Sequence, residues 1–237
     1  MSRVLLLDNR LEILAVGLDL DGTLLDSEEV NVSATLETLR HFHVPEPIGG
    51  FNTKTLVGAT NNQVFTAILE SIGNKALFGL VGKMSAFKRQ RFRECIGDTV
   101  PVSGAVKFVR VLGLKSLPRA LVTSAGNLSM SIALERLGLA REEFEVLLPS
   151  DALAQGILPK PDLGQWKEAS RLLGRAEEPK SVLAVEDSPK GVSSAHGAGL
   201  TVCGIMTTHS EDELLNSGAS FVVRSFAELA ERLSITL

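Results

Sequence analysis

The sequence predicts an α/β fold in which a parallel sheet is covered by helices on both faces and interrupted once by a helical insertion. Short, β-branched apolar runs alternate with helix-like stretches along most of the chain. The runs are almost continuously apolar, as strands are when both sheet faces are buried. Between the first core run and residue 119 this rhythm stops, and three helical patterns follow one another instead.

In chain order, the first dozen residues suggest an extra strand or a hairpin turning at Asp8-Asn9, and residues 13–19 form the first core strand. Helical patterns then cover 28–42, 61–72 and 82–96, with Asp26 and Glu29 spaced to cap the first. Pro101-Val102-Ser103-Gly104 marks the return to the sheet. Strands follow at 119–124, 144–148, 181–186, 200–205 and 220–223, with helices at 127–137, 164–173 and 189–197. Those helices stop near Gly138, Gly174 and Gly199, as helices commonly do. The expected division is a core domain of residues 1–26 and 101–237 and a helical domain of residues 27–100.

Composition narrows the function. The 237 residues are 44% hydrophobic and 22% charged, enough apolar material for a buried core and too much for a disordered chain. A net charge of −4 gives no basic field to attract nucleic acid. No apolar run reaches the ~18–20 residues of a membrane span. The run at 4–7 is shorter than the ~7–15 residues of a signal-peptide core. Cys95 and Cys203 lie far apart without CxxC spacing, against a disulfide scaffold or thiolate zinc site. There is no internal repeat or low-complexity segment. A soluble cytoplasmic protein is expected, without nucleic-acid or membrane partners.

Four strand-to-helix loops carry candidate chemistry. Asp19-Leu20-Asp21-Gly22-Thr23-Leu24 sets two carboxylates and a glycine turn at a strand end, the edge where open α/β sheets bind ligands. One carboxylate can attack an electrophile while the other exchanges a proton if their environments separate their pKa values. A plain Asp-Gly turn is the bland alternative, and the EF-hand pattern for calcium is not completed. Thr123-Ser124-Ala125-Gly126-Asn127 brings hydroxyls to a helix start, which suits either a phosphate seat or an ordinary cap. Pro159-Lys160-Pro161-Asp162 holds a lysine between prolines that stiffen its loop. Glu186-Asp187-Ser188-Pro189 sets two acids at a strand end, as a Mg²⁺ site or a simple N-cap.

In this order the four loops resemble the four motifs of the haloacid dehalogenase superfamily, with Leu25-Asp26-Ser27-Glu28 and Lys190-Gly191-Val192 agreeing in the flanks. The resemblance covers nearly the whole chain. The closest branch is that of β-phosphoglucomutase and phosphoglycolate phosphatase. It implies a Rossmann-like core and a helical C1 cap, whose glycine turn matches Leu56-Val57-Gly58. It implies Asp19 as nucleophile forming an aspartyl-phosphate, Asp21 as acid and base, and Lys160 as the balancing cation. Mg²⁺ would sit on Asp19, the Asp21 carbonyl, Asp187, and Glu186 directly or through water. Thr123 and the Ser124 N–H would hold the phosphoryl group, with Gly22, Thr23, Ala125 and Asn127 completing the phosphate-binding set.

The aspartate at position 21 separates this chain from the dehalogenase branches, which lack that acid, and from the transport ATPases, which carry threonine. The resemblance therefore implies a Mg²⁺-dependent phosphatase acting on a small phosphorylated metabolite such as a sugar phosphate or a phosphoglycolate-like compound. A sugar phosphomutase is the alternative, and a non-catalytic binding protein on the same scaffold a third reading. Leu163 replaces the usual second proline of the lysine motif. Asn61 stands where mutase-like caps often carry arginine, whereas Asn127 matches a residue that mutase-like members use near the phosphate. A monomer or weak homodimer is expected.

In the insertion, Lys83, Lys88, Arg89, Arg91 and Arg93 form a basic run, either a clamp for an anionic substrate or a solvated helix face, the second favoured. Phe51 and Phe65 are expected to pack rather than line a cleft, His41 and His43 to lie at the surface, and Cys95, Cys203 and Trp166 to belong to the core.

Overall fold

The structure is a computed structural model that describes residues 4–46 and 60–237. The chain opens with a hairpin of β1 (Leu5–Leu7) and β2 (Leu11–Ile13), paired antiparallel. Asp8 and Asn9 make its turn with φ of 50° and 58°, the left-handed region that Asn and Asp tolerate best among residues with a side chain. Arg232 donates to both oxygens of Asp8 and fixes the hairpin to the body.

β3 (Ala15–Leu18) enters the main sheet, β4 (Leu25–Asp26) follows, and α1 (Glu28–His41), α2 (Asn61–Ser71) and α3 (Val81–Cys95) form the helical insertion. β5 (Val100–Pro101) pairs antiparallel with β4 and returns the chain to the sheet. The remainder alternates α4 (Ala105–Leu114), β6 (Arg119–Thr123), α5 (Asn127–Leu137), β7 (Val146–Pro149), α6 (Gly164–Leu172), β8 (Val182–Glu186), α7 (Pro189–Gly197), β9 (Thr201–Ile205), α8 (Glu211–Asn216), β10 (Phe221–Val223) and α9 (Phe226–Arg232). The sheet runs β10-β9-β8-β3-β6-β7 and every pairing is parallel. No helix among the described residues is long and apolar enough to cross a membrane.

Alternation along the strands sorts the sheet into two unequal faces. Val16, Leu18, Leu121, Leu183, Val185, Cys203 and Ile205 point into a large apolar cluster shared with α4, α5 and α9. The intervening Ala15, Ala120, Val122, Ala184 and Val202 meet Trp166, Val192 and Leu214 of α6, α7 and α8. Small residues dominate this second face, which brings the helices close. At Gly17 a β-carbon would lie 2.4 Å from the Trp166 ring, so the indole packs against bare backbone. A third cluster of Leu39, Val44, Val64, Phe65, Ile68, Leu69 and Met84 joins α1, α2 and α3, giving the insertion its own apolar centre.

Some expectations change. The first core run divides at Leu14, because Ile13 pairs with Leu5 in the hairpin. Asp26 does not cap α1: it pairs with Val100 in the β4–β5 ladder and leaves the N-cap to Ser27. α4, α8 and α9 are additional helices, the last two only 6 and 7 residues long. Phe51 and Leu56-Val57-Gly58 lie outside the described residues.

Gly17→Ala should lower unfolding stability by about 1–3 kcal/mol through overpacking against Trp166, read from the urea midpoint. An unchanged midpoint would show that this face has slack.

Candidate active site

Strand order brings the candidate residues together. β3 lies between β6 and β8, so the residues at and just beyond their carboxyl ends, Asp19, Thr123, Glu186 and Asp187, share one edge. Lys160 arrives from the β7–α6 connection. Its ammonium donates to Asp19 Oδ1 at 2.6 Å, Glu186 Oε1 at 2.6 Å and the Val122 carbonyl at 2.8 Å, and the residue is only 2% exposed. Burial alone would discharge it. The attraction of Asp19 and Glu186 outweighs that cost and raises its pKa above the ordinary lysine value. The Trp166 ring centroid lies 5.2 Å from the same nitrogen, so packing and electrostatics meet at this point.

The carboxylates are crowded. Ligand oxygens of Asp19, Glu186 and Asp187 all lie within 4.8 Å of one another. Burial, then repulsion from Asp19, raises the Asp187 pKa to about 7, against hydrogen bonds from Thr208 and Thr23. Burial likewise raises Glu186, with Lys160 offsetting part of the shift. Thr23 Oγ1 donates to Asp187 Oδ1 at 3.2 Å, and Thr208 Oγ1 lies 2.5 Å from Oδ2. Gly22 is required here: its φ is +84°, and a β-carbon would sit 2.1 Å from Asp187 Oδ2. Three neighbouring acids against one ammonium leave the cluster short of positive charge, and hard oxygen donors suit a divalent cation.

Asp21 has a different environment. Ser27 Oγ donates to its Oδ1 at 2.7 Å, and burial raises its pKa to about 6 despite that bond. Facing it, Lys88 of α3 is buried, and its pKa falls to about 8 because desolvation outweighs the attraction of Asp21. Thr123 Oγ1 accepts from the Ala125 N–H at 2.9 Å, tightening the loop that carries Ser124. Thr123, Ser124, Ala125 and Gly126 line a cleft of about 480 Å³ together with Asp19, Asp21, Gly22, Lys160 and Asp187. Its opposite wall carries Asn31, Thr35, Thr60, Asn61, Asn62, Lys88, Arg89 and Phe92.

A family model for haloacid dehalogenase-like hydrolases matches residues 16–205. The chain belongs to this family. It is 28% identical over 196 residues to validoxylamine A 7'-phosphate phosphatase of Streptomyces hygroscopicus subsp. limoneus, covering 83% of this chain and 87% of that protein. It is 28% identical over 189 residues to hexitol phosphatase A of Escherichia coli, covering 79% and 80%. A hydrolase from Pseudomonas syringae superposes with a TM-score of 0.80 at 21% identity, over 93% of this chain and 97% of that one, which supports the fold.

Within this haloacid dehalogenase-like hydrolase, the sequence candidates divide. Asp19, Asp21, Gly22, Thr123, Ser124, Ala125, Lys160 and Asp187 line the cleft, while Glu186 and Thr23 lie behind them and contact Lys160 and Asp187. Asn127 is exposed and does not line the cleft. Its side-chain oxygen accepts from Arg141 at 3.3 Å and its N–H donates to Asp151 at 2.7 Å. Of the basic run, Lys88 and Arg89 line the cleft, so the run is not solely a solvated face, and Arg91 pairs with Glu37 and Glu94. Phe65 packs among the insertion helices, and His41 is exposed, its ring stacked 4.1 Å from Phe87. Cys95 is only half-buried. Cys203 is buried, and burial raises its thiol pKa well above the usual range.

A fifth loop went unread in the sequence. After β9, Thr207 donates to the Gly22 carbonyl, Thr208 contacts Asp187, and His209 Nδ1 lies 3.1 Å from the Asp187 carbonyl. Its position at the end of an apolar strand is the signal that marked the other four. Lys88 had one too: it sits on the Met84-Lys88-Phe92 stripe, at helical spacing with buried residues.

Because Asp187 titrates at about 7, divalent-cation binding should release a proton and tighten about tenfold between pH 6 and pH 8, as calorimetry in buffers of different ionisation enthalpy would reveal. Constant affinity without proton release would show that Asp187 does not hold the cation.

Proposed function

We propose that the protein is a Mg²⁺-dependent phosphatase that transfers the phosphoryl group of a small, hydroxyl-rich phosphate monoester to Asp19 and then to water. The observation that carries this reading is the Lys160 ammonium bonded to Asp19 at 2.6 Å, with Asp21, two residues on, a half-buried acid whose pKa is raised to about 6. A carboxylate approaching a phosphate dianion meets strong repulsion, and a fixed ammonium offsets part of it. Asp19 Oδ attacks phosphorus as the bond to the leaving oxygen breaks, and protonated Asp21 gives that oxygen its proton. Asp21, now ionised, takes a proton from water as the water oxygen attacks the aspartyl-phosphate, releasing inorganic phosphate and restoring Asp19. A pKa near 6 suits both duties at neutral pH.

The Thr123 hydroxyl and the Ser124 N–H would receive phosphoryl oxygens. Asp19, Asp187, Glu186 and the Asp21 carbonyl would hold Mg²⁺, which when bound supplies positive charge to the transferring group. In this reading residues 27–100 form a cap over a core of residues 1–26 and 101–237, and the cap wall selects the leaving group. Its Asn31, Thr35, Thr60, Asn61 and Asn62 offer uncharged hydrogen-bonding groups suited to a polyol or sugar. The similarity to proteins named as phosphatases of hexitol and of validoxylamine A 7'-phosphate points the same way. Hydrolysis is favoured over mutase chemistry because Ala125 and Gly126 offer no side-chain donor to a second phosphate and Asn127 is engaged by Arg141 away from the cleft.

A phosphate-release screen over polyol and sugar monophosphates with Mg²⁺ tests the reading. Wild type should release phosphate, and folded Asp19→Asn should lose more than about a thousandfold in kcat. Full activity in Asp19→Asn would remove the proposed nucleophile, and an isomerised sugar phosphate without free phosphate would support the mutase.

A further inference from the structure

The most unusual polar group beside the site is one to which the proposed mechanism assigns no role. Gln165, in the first turn of α6, is 0% exposed, and its amide makes three hydrogen bonds to three chain segments. Its Nε2 donates to the Thr123 carbonyl at 2.9 Å and to the Leu148 carbonyl at 2.7 Å. Its Oε1 accepts from the Lys160 N–H at 3.3 Å. We infer that Gln165 is a positioning residue that sets the phosphate-binding peptide after β6 and the Lys160 backbone in one fixed relation, an inference that rests on the site reading above.

Peptide geometry gives the reason. The Thr123 carbonyl and the Ser124 N–H belong to the same planar trans peptide, so they point in opposite directions. Holding the carbonyl from beneath the sheet edge therefore aims the N–H outward, to the side where a phosphoryl oxygen would sit. The same amide carries the Lys160 N–H, so displacement of one loop is felt by the other. β7 is included through Leu148, next to the strand's last residue, Pro149. The outer anchors are already provided: Asp162 Oδ1 accepts from the Gly164 N–H at 2.7 Å, and Ser194 donates to the Asp162 carbonyl at 2.5 Å. Lys160 is thus held at its tip by Asp19, Glu186 and Val122 and at its backbone by Gln165. Rigid support of this kind determines whether electrostatic groups act without first reorganising.

The test uses the full chain with Mg²⁺ and two probes: inorganic phosphate for equilibrium binding and p-nitrophenyl phosphate for turnover. Gln165→Met keeps the volume and removes all three bonds. A positioning role predicts that the phosphate Kd and the KM each rise about tenfold and that kcat falls by a similar factor, in protein shown to be folded. A merely structural role lowers Tm and the number of binding-competent molecules but leaves Kd and KM unchanged, and that result would overturn the inference. Should Gln165→Met fail to fold, Gln165→Asn carries the same expectation, because its amide is one methylene short of spanning both loops. If wild type binds phosphate but turns nothing over, the phosphatase reading fails while the Gln165 claim is decided by Kd alone. If wild type binds no phosphate, both fall.

Discussion

The Lys160 ammonium, buried between Asp19 and Glu186 at 2.6 Å from each, is the interaction on which the site depends. Desolvating three charges is costly, and the arrangement persists only because geometry and hydrogen bonding are satisfied together. Without the ammonium, two carboxylates would face each other and Asp187 with nothing between them. The sheet order makes the meeting possible. Asp19 follows the strand flanked by β6 and β8, and the β7–α6 connection reaches back over β6 to deliver the lysine. The small residues along one sheet face, with Gly17 open to the Trp166 ring, let α6 sit close enough for that delivery.

The two acids of the first loop have been given opposite surroundings. Asp19 shares an ammonium with Glu186, whereas Asp21 turns toward Ser27 and Lys88 at the insertion and is raised to about 6. One aspartate is thus held against an ammonium while the other, two residues on, can carry a proton near pH 6, the division of labour that a nucleophile and a proton donor need. The insertion contributes to this division as well as to the cleft wall, since Ser27 is the N-cap of α1 and Lys88 comes from α3. The loop after β9 clasps the turn from the other side, with Thr207 on Gly22 and Thr208 on Asp187.

Much of this was legible in the sequence because buried parallel strands leave a strong mark. The runs at 119–124, 181–186 and 200–205 match β6, β8 and β9 to within a residue or two, and the helix starts at Asn127, Gly164 and Pro189 coincide with those expected. Apart from α4, whose ten residues follow Gly104, most of what escaped was short. β4 and β5 have two residues each, too few for a period, and α8 and α9 each span fewer than two turns. Thr207 and Thr208 have only their place at a strand end to mark them, and Gln165 is one polar residue at a helix start. Their importance lies in what they touch, which depends on long-range packing. Asn127 shows the reverse case: the sequence marks it, but its side-chain oxygen accepts from Arg141, fourteen residues on, and it does not line the cleft.

The central claim is that the crowded edge of the sheet makes Asp19 a nucleophile toward phosphorus. Rapid acid quench during turnover, followed by mass spectrometry of the peptide that spans β3 and its loop, tests it most directly. The account predicts a phosphoryl group on Asp19 that forms and decays at rates consistent with kcat. A phosphoryl group on any other residue, or phosphate release with no acid-trapped phosphopeptide at any time point, would contradict it.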